Sequence, residues 1–434
     1  MDKNYVEFTS QMKRDYTILI PNMLPMHFKM ITRIMNNYGY KTDILFSSGH
    51  EVTEAGLRYC HNDTCYPAIL VIGQFIHAIQ SGKYDPHKVA LMMFQTGGGC
   101  RASNYISLIR KALKKAGFDY VPVISFSLAG IEKHSGFKLT IPMMHKMLYA
   151  IMYGDLLMSL VNQCRPYEIN KGETEALADK WTVDLTDEMA NAHLLISYKK
   201  VKKTYIKILD DFAKIPLNRE TQKPRVGIVG EIYVKFSSLG NNDLERFLVD
   251  EGAEPVLPGL LDFCLYCVYN NLMDKELYGR GKLKYPAVKF AYCFLGKKQK
   301  DLIEIINKHG VFRPMTPIEH TVSLAYDYIG LGAKMGEGWL LTAEMLELSD
   351  SGTKNIICTQ PFGCLPNHIC GKGMMKPLKE KNSDINIVAI DYDAGATQVN
   401  QLNRIKLMLA NARLALEDEN KPENEKLPNI LELV

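Results

Sequence analysis

The sequence predicts an α/β protein: two Rossmann-like parallel-sheet lobes with a helical insertion between them. Three observations carry that expectation. Short apolar runs alternate with amphipathic stretches over residues 1–139, the pattern of strands crossing over through helices. Residues 140–220 read as mainly helical. The strand–helix alternation then resumes over 221–434, with additional helices. A chain of 434 residues exceeds one ordinary core, which agrees with this division.

In the first lobe, TILIPNM (17–23) reads as a strand and HFKMITRIMNNYG as a helix closed by Gly39. YKTDILF (40–46) is a second strand. YPAILVIGQFIHAIQSG (66–82) is a helix ending in glycine, with Pro67 suited to its first turn. VALMMFQT (89–96) is a continuous apolar run, the mark of a strand buried on both faces. NYISLIRKALKKAG (104–117) is amphipathic and again closed by glycine, and VPVISFS (121–127) is the next strand. In the helical segment, the basic run YKKVKKTYIKILDDFAKI (198–215) fits a solvated helix face better than a ligand site. RETQKPR (219–225) reads as a linker.

The second lobe opens with RVGIVGEIYV (225–234) as a strand and DLERFLVDEG (243–252) as a helix. AEPVLPG leads into a long helix, LLDFCLYCVYNNLMDKEL, and more helices follow from 287 to 349. The lobe closes with strand NIICTQ (355–360), helix GKGMMKPLKEK (371–381), strand INIVAIDYD (385–393) and a helix from about Thr397 to Glu417. Asp-x-Gly-x-Thr at 393–397 looks like a nucleotide phosphate loop. It comes too late in its lobe for that role, and a strand-to-helix turn capped by Thr397 explains it.

The formal net charge of +4 is small for this length, so nothing points to nucleic acid or an anionic membrane as partner. No stretch reaches the roughly 18 apolar residues of a spanning helix, and the N-terminus lacks a signal peptide's apolar core. A cytoplasmic location is expected. In that compartment thiols stay reduced, so the cysteines are not expected to pair. Burial as small apolar residues suits Cys164, Cys293, Cys264 and Cys267, which fall within helical apolar patterns.

Four other cysteines sit in glycine- and proline-rich segments: CHNDTCYPA (Cys60, Cys65), QTGGGCRASNY (Cys100) and QPFGCLPNH (Cys364). Thiolates are soft ligands suited to zinc and to iron–sulfur clusters. Zinc usually takes paired C-x2-C knuckles, and only Cys264 and Cys267 have that spacing. Ferredoxin-type clusters use a compact run of cysteines. A dispersed set instead requires the fold to gather its ligands at the carboxyl ends of strands. Gly98, Gly99 and Gly363 allow the backbone to approach a bulky inorganic core. The glycines at 97–99 lack the lysine and hydroxyl of a P-loop. Cys–His nucleophilic catalysis is an alternative, since Cys364 lies near His368 and Cys60 beside His61.

At these residues the chain resembles the 2-hydroxyacyl-CoA dehydratase D-component and benzoyl-CoA reductase family, nearest to the C-terminal part of the large activase-fused proteins. The matching segments are CHNDTCYP, GGGCRASNY, GEIYVKFSSLGNNDLERFLVDEGAE, and the long block from QPFGCLPNHICGKG to NQLNRIKLML. The resemblance implies an iron–sulfur cluster (a 4Fe–4S cubane or a double-cubane cluster) in the cleft between the lobes. It implies an ATP-hydrolysing 4Fe–4S activator protein as partner, an acyl-CoA or small-molecule substrate, oxygen sensitivity, and a homo- or heterodimer. The implied activity is 2-hydroxyacyl-CoA dehydration or double-cubane-type reduction. The alternative is a non-catalytic electron-transfer or assembly subunit. The carry-over places metal ligation on Cys60, Cys65, Cys100 and Cys364, with Cys358 and Cys370 as further candidates. Arg101 is a candidate for balancing cluster charge or orienting substrate, and Glu231 for acid/base work. Their competing readings are a surface salt bridge and a helix-capping carboxylate.

Overall fold

The computed structural model describes residues 5–61, 63–94, 99–126, 132, 134–191 and 195–419. It holds two four-stranded parallel sheets. In the first, β1 (Thr17–Pro21), β2 (Lys41–Leu45), β3 (Val89–Phe94) and β4 (Val123–Phe126) lie in the order β2-β1-β3-β4. In the second, β5 (Arg225–Gly230), β6 (Glu254–Val256), β7 (Asn355–Pro361) and β8 (Asn386–Tyr392) lie in the order β6-β5-β7-β8. The two sheets therefore share one topology, and every pairing is parallel.

Helices cover both faces, as parallel sheets require. The first lobe carries α1 (Pro25–Asn37), α2 (His50–Tyr59), α3 (Tyr66–Gln80) and α4 (Tyr105–Ala116). The helical insertion is α5 (Ile141–Cys164), α6 (Glu173–Asn191) and α7 (Tyr198–Phe212). The second lobe carries the short α8 (Ile232–Phe236), α9 (Leu260–Tyr278), α10 (Tyr285–His309), α11 (Trp339–Asp350) and α12 (Gln398–Glu419), with further short helical turns between. Gly39 and Gly117 close α1 and α4 with φ of 83° and 82°, the left-handed step that glycine makes without strain. No helix among the described residues is long and apolar enough to cross a membrane.

Side chains alternate across β1. Ile18 and Ile20 join one core cluster with α1 and α5, while Leu19 joins another with α3 and α4. That second cluster also takes in Ile228, Ile357 and Ile390 of the other sheet, so one apolar layer spans both lobes. Each such fully buried side chain contributes roughly 1.5–3 kcal/mol over exposure. Asp155 of α5 fastens the insertion to both lobes. It accepts from the Leu260 and Leu261 N–H groups at the start of α9, both at 2.8 Å, and lies 2.8 Å from Nε2 of His27 on α1. Gly154 beside it is needed because a Cβ there would collide with the His27 ring.

Three expectations are corrected. The strand expected over 225–234 stops at Gly230, whose φ of 136° turns the chain out of the sheet. Glu231 then caps α8 by accepting from the Val234 N–H at 2.9 Å. The segment AEPVLPG contains the short edge strand β6, paired only with β5. Cys293, expected buried, is exposed on α10.

Candidate functional site

In a sheet of order 2-1-3-4 the chain leaves the first strand in opposite directions, which opens a crevice between the carboxyl ends of its two central strands. Here those ends belong to β1 and β3 in one lobe and to β5 and β7 in the other. Cys100 follows β3, and Cys364 follows β7. Glu231 follows β5. Cys65 sits at the N-cap of α3, a helix that runs back against the strands and so begins at their carboxyl edge.

The two crevices face each other. The Tyr66 N–H donates across the lobes to the Phe362 carbonyl at 3.0 Å. An added Cβ at Gly363 would stand 3.1 Å from the Cys65 Cα, and Gly363 also adopts a φ of 72°. Gly336 plays the same part opposite Cys100: a Cβ there would lie 3.0 Å from Pro366 and 3.7 Å from the Cys100 sulfur. Gly99 abuts Met335, and Gly98 lies outside the described residues. Tyr105, the first residue of α4, places its hydroxyl 3.3 Å from the Cys65 sulfur.

Burial pushes the thiols of Cys65, Cys100 and Cys364 upward. The carboxyl of Glu231 adds to the rise at all three, and that of Glu337 at Cys100 and Cys364. Arg101 pulls weakly the other way on Cys65. Its Nη1 donates to the Asp63 carbonyl, so it ties the 60–65 loop to the Cys100 loop and remains exposed.

Glu231 and Glu337 converge on one helix end. Glu337, buried, accepts from the Ile232 N–H at 2.9 Å, two residues before the Val234 N–H that Glu231 takes. Burial, then the neighbouring Glu337 carboxyl, pushes Glu231 up to about 8. Burial raises Glu337 as well. Behind them Lys235 of α8 forms a buried pair with Glu344 of α11, at 2.9 and 3.2 Å to its two oxygens. One lysine thus acts on three carboxyls, of which Glu337 and Glu344 are buried.

Cys60 borders this group: it packs on the apolar cluster that spans the lobes, and its thiol is pushed up to about 12 by burial, with Lys115 opposing and the Cys65 thiol adding to the rise. Cys358 lies inside β7 within the core and donates to Oδ1 of Asn367 at 3.3 Å. Cys370 is buried in the turn Asn367–Gly371, its carbonyl taking the Thr342 hydroxyl at 2.6 Å. Among the described residues no three His, Cys, Asp or Glu side chains lie close enough to hold a metal ion. Sequence reasoning missed Glu337, Gly336 and Tyr105. The glycine-dense stretch YIGLGAKMGEGW (328–339) carried the signal, for it has the composition of the cysteine segments.

No family matches. Neither the protein-family models nor the curated proteins include one that matches this chain.

Proposed function

We propose that this chain is an iron–sulfur protein that accepts a low-potential electron from an ATP-hydrolysing 4Fe–4S activator protein. It passes that electron to an acyl-CoA thioester or another small molecule in the interlobe cleft. The observation that supports the reading most is the meeting of Cys65, Cys100 and Cys364 where the crevices of both sheets face each other. Their surroundings suit a cluster. The donors are soft, the backbone at Gly336 and Gly363 is held close, and Arg101 stands beside Cys65. Buried thiols beside carboxyls become thiolates readily only when a metal core supplies the missing cation. Three ligands from one chain match a cubane with one iron left open.

When bound, the cluster supplies a store for one electron at low potential. The chain's own residues do the rest. Cys65, Cys100 and Cys364 would hold the group, and the Tyr105 hydroxyl would donate to the Cys65 sulfur, which tunes potential. Gly363 and Gly336 keep bulk out of the cleft. Glu231 keeps a proton near neutral pH, so it is the group suited to protonate a departing substrate hydroxyl. Arg101 acts by positioning its loop.

The test is anaerobic purification or reconstitution. About four irons and matching sulfide per chain are expected. Cys65→Ala, Cys100→Ala and Cys364→Ala should each lose most of that iron, while Cys358→Ala and Cys370→Ala keep it. A colourless wild-type protein without iron refutes the reading.

A further inference from the structure

A cavity of about 420 Å³ runs along α11 in the second lobe. Its other walls are α5 of the insertion, the loop after β6, α10 and the segment 313–317. None of the described cysteines lines it, so it is separate from the cleft between the lobes. Its volume is that of a small-molecule site. Met158, Met315 and Leu348 give it an apolar wall.

Opposite charges line this cavity without pairing. Asp155, Asp262 and Glu344 are held by groups of the chain itself: the start of α9, Gln299 and Lys235 respectively. Arg225 donates to the Gly352 carbonyl. Glu347 and Arg313 are less completely occupied. The Thr316 hydroxyl donates to Oε1 of Glu347, and Oε2 has no partner among the described residues. Arg313 gives Nη2 to the buried Glu254, and its Nη1 and Nε have no partner among the described residues. Thr316 lies three residues after Arg313, a reach of at most about 11 Å. The two charges are thus near neighbours on one cavity, yet no ion pair joins them. Among the described residues the carboxyls are not grouped closely enough for a metal ion. An open carboxylate oxygen, an open guanidinium edge and an apolar wall call for a ligand with three matching parts. These are an ammonium, a carboxylate and a hydrocarbon stem.

We infer that this cavity binds a small zwitterion with an aliphatic stem, its ammonium on Glu347 and its carboxylate on Arg313. The site stands independently of the proposed electron-transfer role, because binding needs no cluster. The test is titration calorimetry of the purified full chain with unbranched amino acids from glycine to 6-aminohexanoate. Burial pushes Glu347 up to about 7, so the titration is run above that pH, where the carboxylate is charged. At least one member should bind saturably. The amine and the carboxylic acid of the same stem, each lacking one charge, should bind roughly tenfold or more weakly, as loss of a charged hydrogen bond predicts. Glu347→Gln keeps the side chain's shape and should weaken the zwitterion by a similar factor while leaving the carboxylic acid unchanged. Met315→Trp, which fills the cavity from a half-buried position, should abolish binding of all probes. Thermal melting of both variants without ligand checks that they fold. No saturable binding by any member overturns the inference. So does an amine that binds as tightly as its zwitterion, or a folded Glu347→Gln variant that binds like wild type.

Discussion

Replacing Lys235 with methionine isolates the electrostatics beneath the cleft. The change keeps most of the side-chain length, so little packing is lost. It removes the cation that lies 2.9 and 3.2 Å from the two oxygens of Glu344. Both partners are about 4% exposed, so water cannot replace the lysine. Breaking a buried pair from one side costs roughly 3–5 kcal/mol, because the remaining charge is stranded. At roughly 2–4 °C per kcal/mol for a lobe of this size, the melting temperature should fall by about 6–20 °C. The sign of the pH dependence is also set. Burial raises the Glu344 carboxyl above its ordinary value, and Lys235 opposes that rise. Without Lys235 the folded carboxyl binds its proton still more tightly than the unfolded one. The deficit therefore vanishes below the ordinary carboxylate range and grows as pH rises, so it is smaller near about pH 5 than near about pH 8. Lys235→Met with Glu344→Leu should recover most of the loss, since a well-packed apolar pair can replace a buried ion pair. The assay is thermal unfolding at both pH values. A single variant melting within about 2 °C of wild type, or a deficit that grows on acidification, would refute the reasoning.

Further outcomes follow from the same contacts. Gly363→Ala should cost about 1–3 kcal/mol in thermal unfolding, because a left-handed residue gains a Cβ against the Cys65 backbone. Asp155→Ala strips the acceptor from the Leu260 and Leu261 N–H groups and from His27. It should cost roughly 3 kcal/mol or more and abolish hydrogen-exchange protection in the first turn of α9. Burial pushes Glu347 up to about 7, so its share of stability is full below the ordinary carboxylate range and is lost as pH rises through about 7. Melting temperature should fall across that window, and Glu347→Gln should flatten the fall. Cys60→Ser should retain the iron that Cys364→Ala loses, since Cys60 packs on the apolar layer between the lobes.

Most of the sheet framework was legible because burial on both faces writes itself as unbroken apolar runs. VALMMF and the closing glycines at 39 and 117 are examples. β6 was not legible, because a three-residue edge strand has no periodicity to read. The overrun of β5 has a different cause. GEIYV continues the apolar pattern, and only the backbone turn at Gly230 separates strand from helix. The convergence of Cys65, Cys100 and Cys364 was legible from their places after strands and before helices. The placement of Cys358 and Cys370 in the second lobe's interior was not, because the way a strand or turn side chain faces depends on tertiary packing. Glu337 lay in a stretch read only as helix, and its partner Glu231 acts at a helix start invisible without the turn before it. Cys293 shows the same limit: an apolar pattern around it signals burial, yet it is exposed on α10.

The hydrogen bond from Tyr66 to Phe362 joins segments far apart in the chain, and this has a consequence for synthesis. At roughly 5–20 residues per second, Cys364 leaves the ribosome tens of seconds after Cys100. During that interval the first lobe has all four of its strands, yet its half of the cleft has nothing opposite it. Cys65, buried in the finished protein, then stands open to oxidants. The newborn chain is thus more vulnerable to oxygen than the mature one, and its yield should depend on how reducing its surroundings are while it is being made.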